Sequence, residues 1–72
     1  MKTVLVFKTS VEGKRHIKAL SPLLNQLINS FGRWNFDLED CDNILRVETR
    51  YPNAAAIIIL LKKQGFACEE LL

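Results

Sequence analysis

The sequence is poor in the residues that carry most protein chemistry. Its 72 residues include one histidine, two cysteines, one tryptophan and three glycines. No serine is placed beside the histidine as a nucleophile and no convergent carboxylate pair is legible, so the chain is not expected to be an enzyme. Cys41 and Cys68 lie far apart and match no metal-ligand spacing. They read as free thiols of a reducing compartment. The longest apolar run, Ala54 to Leu61, falls well short of the roughly 20 residues that span a bilayer, so no membrane insertion is expected. Met1-Lys2 leads directly into a strand-like run, which is not a signal-peptide pattern, and the expected location is cytoplasmic. Charge of one sign is also scarce. The net charge is +2 with acids and bases mixed along the chain, too little to argue for nucleic acid.

What remains is an ordinary globular composition, 49% apolar and 25% charged, in one domain over residues 1–72. That length is close to the smallest that one core can hold together. Thr3-Val4-Leu5-Val6-Phe7 is a β-branched and aromatic run that predicts a first strand. From Lys14, Ile17, Leu20, Leu24, Leu27 and Phe31 recur at three- and four-residue steps, one helical stripe. The stripe keeps phase across Pro22, which predicts one kinked helix, stopped by Asn29-Ser30 and Gly32. Arg33 to Glu39 alternates, with Trp34, Phe36 and Leu38 on the core face. Asp40 to Asn43 is a turn cluster, and Ile44 to Thr49 the returning strand of a hairpin. Asn53 is the expected N-cap of a helix from Ala54 to Gln64, closed at Gly65, and Phe66 to Leu71 is the last strand.

The order βαββαβ, with right-handed crossovers, predicts an α+β, ferredoxin-like sandwich. Its four-stranded antiparallel sheet has spatial order 4-1-3-2 and both helices on one face. This topology gathers the first loop, the hairpin tip and the turn at Gly65 at one end of the sheet. Cys41 and Cys68 belong to opposite edges, too far apart for a disulfide.

The residues that carry a resemblance are spread along the chain. They are Phe7-Lys8-Thr9 before the loop, Ile17, Leu20, Pro22 and Leu24-Asn25 in the helix, and Trp34-Asn35-Phe36-Asp37. Asn43-Ile44-Leu45-Arg46-Val47-Glu48 and Leu61-Lys62-Lys63-Gln64-Gly65-Phe66 complete them. In this order the chain resembles the heavy-metal-associated domains of copper chaperones and metal-transporting ATPases. The resemblance implies a loop end that docks on a partner, a metal transporter or another protein, and a C-x-x-C motif that grips Cu(I) between two thiolates. Matching the helix stripe places the two cysteine positions at Gly13 and His16, so the motif is replaced by Gly13-Lys14-Arg15-His16. The expected function is that of a protein-interaction or metal-homeostasis accessory module without a resident cofactor.

Two readings of the loop stand beside each other. In the plainer one, His16 is a solvated first-turn residue and Cys68 a small core residue. In the other the chain is a true metal carrier, with His16 as anchor and Cys68, Glu12 or a second chain as further ligands for zinc, nickel or copper. A homodimer pairing two His16 residues would supply the missing ligand count. Lys14, Arg15 and His16 also form a basic cluster at a helix start, suited to an anion or an acidic partner. The acidic tip Glu39-Asp40-Asp42 lacks the spacing of a calcium loop and reads as a turn. On the second helix Ile59 falls on the outer face, where it could join Ala55 and Ala56 in a self-association or partner surface.

Overall fold

A computed structural model describes residues 2–28, 32–39 and 41–71. The elements are β1 (Thr3–Thr9), α1 (Lys14–Ile28), β2 (Gly32–Asp37), β3 (Ile44–Thr49), α2 (Ala54–Lys63) and β4 (Cys68–Glu70). They form one antiparallel four-stranded sheet, ordered β2-β3-β1-β4. This is the α+β arrangement and strand order expected from the sequence.

The core forms where the two periodicities meet. Leu5 and Phe7 of β1, and Leu45 and Val47 of β3, point from the sheet toward Leu20, Leu24 and Ile28 of α1 and Ile57 and Leu61 of α2. Phe7, Leu24, Leu45, Val47 and Leu61 are fully buried. Each such side chain contributes about 1.5–3 kcal/mol on leaving water. The other sheet face is open: Val4 is 52% exposed and lies beside Glu48, and Val6 lies beside Arg46, as register requires.

Helix α1 runs unbroken through Pro22. A proline there cannot donate to the carbonyl of Lys18, but both residues are exposed, so water can take that acceptor. Helix α2 starts as expected, the Asn53 side chain accepting the Ala56 N–H at 3.1 Å. Gln64 caps the helix rather than extending it, and Gly65 turns the chain at φ 90°, a backbone region that favours glycine.

Several boundaries differ from the sequence expectation. Gly32 is not a helix stop but the first residue of β2, paired with Thr49. A Cβ there would overlap the Glu48 carbonyl oxygen, so glycine permits the close approach of two strands rather than ending a helix. Phe31 and the stop at Asn29-Ser30 lie outside the described residues, as does Asp40. Strand β1 continues to Thr9, because Thr9 pairs with Cys68. Leu38 and Glu39 leave the sheet early: the Asp37 carboxylate accepts the Glu39 N–H at 3.2 Å and turns the chain. Strand β4 is trimmed to three residues, as Ala67 bonds to Ser10 of the first loop instead.

Candidate functional site

The loop between β1 and α1 is held from both sides. Thr9 Oγ1 donates to the Asn43 carbonyl at 2.7 Å and accepts the Val11 N–H at 3.2 Å. The Thr9 N–H donates to the Asp42 carbonyl at 3.2 Å. Ser10 reaches the other way: its N–H donates to the Ala67 carbonyl at 3.1 Å, and its Oγ accepts the Ala67 N–H at 2.8 Å. Val11 is then driven wholly into the core. These bonds bring the first loop, the hairpin tip and the lead into β4 to one end of the sheet.

Glu12 to His16 stand on that base. The Gly13 carbonyl accepts the N–H groups of His16 and Ile17, both at 3.1 Å, which opens α1. His16 is half-buried rather than solvated. Its ring meets Phe66 edge to face, centroids 5.0 Å apart, and Nδ1 accepts the Glu12 N–H at a long 3.4 Å. Histidine therefore works here as a small aromatic bracket between the start of α1 and the turn after α2.

That bracket gathers charge from two distant segments. Lys14 and Arg15 are exposed at the start of α1, whose first turn has no acidic residue, while Lys62 and Lys63 occupy the last turn of α2. The lysines of α2 suit its C-terminal dipole. Lys14 and Arg15 oppose the dipole of α1, a local cost of a few tenths of a kcal/mol. Ile59, 53% exposed, sits one helical turn below Lys62 and Lys63. An exposed apolar residue is thus bordered by cations.

Cys68 has a different fate from His16. It is buried, and desolvation pushes its thiol from 9.0 up to about 11, with Lys62 partly offsetting the rise. Cys41 is exposed, and both are free. Thr9 lies between Cys68 and the hairpin tip that bears Cys41, so two strand spacings, about 9–10 Å, separate the rows they occupy. Among the described residues no group of three or more His, Cys, Asp or Glu side chains could hold a metal ion. His16, Cys68 and Glu12 are therefore not assembled into a ligand set within one chain.

Two contacts were not foreseen from sequence: the seat of His16 on Phe66, and the Trp34 indole N–H donating to Asn25 Oδ1 at 2.9 Å. The aromatic placed directly after the Gly65 turn was the available signal for the first. No protein-family model matches the chain, and neither a curated protein nor a solved structure does so. Among the described residues no helix is long and apolar enough to cross a membrane.

Proposed function

We propose that this chain is a non-enzymatic docking module, similar to a heavy-metal-associated domain, in which the metal-gripping loop has become a protein-binding end. The observation that carries this reading is the His16–Phe66 contact. It occupies the loop where the resemblance would put a second thiolate, and it sets Lys14 and Arg15 at the same end as Lys62 and Lys63. Exposed cations around Ile59 favour an acidic partner surface with an apolar centre, the usual division between rim and core of an interface. The buried, protonated Cys68 thiol supports the same reading, because a metal needs the thiolate.

The test is a titration of reduced protein with Cu(I), Zn(II) and Ni(II) against a competing chelator, beside a His16→Ala variant. The docking reading expects no tight binding and no dependence on His16. Tight binding lost in the variant would overturn it and make His16 a ligand of a metal carrier.

A further inference from the structure

Strand β2 is an edge of the sheet: it pairs with β3 on one side, and among the described residues no strand pairs with its other side. Natural edges are commonly protected by shortness, lysine, proline or a bulge. The opposite edge, β4, follows that rule with three residues, two of them Glu69 and Glu70. Strand β2 does not. It has six residues, no lysine and no proline, two charges of opposite sign in Arg33 and Asp37, and an unbroken register against β3 from Gly32 to Asp37. Its helix-side residues, Trp34 and Phe36, are only half-buried, with rings 5.8 Å apart.

The order of side chains along this edge is self-complementary. We infer that β2 pairs antiparallel with β2 of a second copy of this chain, about a two-fold axis at Asn35, to give one continuous eight-stranded sheet. In that register Arg33 stands opposite Asp37 of the second copy, and Trp34 opposite Phe36 of the second copy. Asn35 meets its own equivalent. From Arg33 to Asp37 each residue meets one of matching chemistry, the unlike pairs occurring twice, as a two-fold interface requires. The charge row also extends one already present, since Arg33 Nε lies 3.5 Å from Glu48 Oε2. It would read Glu48, Arg33, then Asp37 of the second copy, alternating in sign. Only registers that match odd with odd positions keep the helices of both copies on one side. Moving the axis to Trp34 sets Arg33 against asparagine, and moving it to Phe36 sends Arg33 beyond the strand to Glu39. An edge this short covers less than the roughly 800 Å² per partner of a standard interface, so the dimer is a weak one. The pairing leaves the loop end at Lys14 and Arg15 uncovered.

Sedimentation velocity of the full chain from micromolar to millimolar concentration tests this, with Arg33→Asp and Asp37→Arg variants alone and mixed in equal amounts. The wild type is expected to dimerise as concentration rises. Each reversal alone should weaken that at least about tenfold, since like charges then face each other twice. The mixture should recover it, because both ion pairs can form between the two variants. The Arg33–Glu48 pair lost in one of them is largely exposed and worth little to folding; circular dichroism checks that both variants fold. A wild type that stays monomeric at millimolar concentration would overturn the inference. So would a dimer indifferent to the reversals, or one lost in Ile59→Asp instead. Should a variant misfold, isotope-filtered NOEs on the wild type decide, and absence of intermolecular contacts at Trp34, Asn35 and Phe36 in a dimer would refute the register.

Discussion

The two thiols should differ sharply in reactivity, and the difference can be worked from burial. Burial lifts the Cys68 thiol from 9.0 to about 11. At about pH 8 this leaves it with roughly a hundredfold less thiolate than an ordinary thiol. A more basic thiolate is a better nucleophile, which returns about one decade, so the intrinsic deficit is about tenfold. Occlusion adds to it: Cys68 is 6% exposed and paired with Thr9, so a reagent must wait until the end of β4 opens. Reaction of native protein with dithiobis(nitrobenzoate) is expected to release one equivalent quickly, from exposed Cys41. A second should follow at least about tenfold more slowly. In denaturant the two rates should converge. Equal native rates would refute the reasoning, as would a fast phase that survives Cys41→Ser. The same group makes folding pH-dependent. Between about pH 9 and 11 the unfolded chain has lost the proton that the folded one keeps, so this contribution is intact below about pH 9. It declines by roughly 2–3 kcal/mol as pH rises through that window. Comparison of urea midpoints for wild type and Cys68→Ala across this range isolates it.

The glycines should separate by what surrounds them. Gly32→Ala drives a methyl into the backbone of Glu48 and should cost about 1–3 kcal/mol, whereas Gly13→Ser meets nothing within 4 Å and should raise the melting temperature through a better helix cap. Thermal melts of both variants check this, and equal effects would deny the close strand approach at Gly32. Leu24→Ala, at a site with no exposure, should cost about 2–5 kcal/mol. Against a total of about 7 kcal/mol for a chain this size, that is enough to shift the urea midpoint by a large fraction. The double variant Gly13→Cys with His16→Cys should gain tight Cu(I) binding under chelator competition, and failure to do so would refute the match of this loop to the C-x-x-C motif.

Much of the fold was legible because it rests on short-range rules. The stripe from Ile17 to Leu27 predicted α1, and Asn53 predicted the start of α2 through a bond three residues long. The alternation from Arg33 to Glu39, with the returning run from Ile44, predicted the hairpin and hence the strand order, though the strand itself ends at Asp37. The loop chemistry was only half legible. Lys14, Arg15 and Ile59 are exposed, as a basic helix start and an outer helix face suggest, but neither reading of His16 includes its seat on Phe66, and Gly32 opens a strand where the local pattern suggests a helix stop.

These differences share a physical cause. Amphipathic period, capping and turn preference are properties of neighbouring residues, so the sequence by itself determined the elements, their order and the faces they bury. Contacts between segments distant along the chain were decided by tertiary structure alone. Packing, not local preference, set Gly32 against the backbone of Glu48, His16 against Phe66 and Cys68 in the core within reach of Lys62. The same assembly left β2 at an edge of the sheet, a position no local preference of its residues determines.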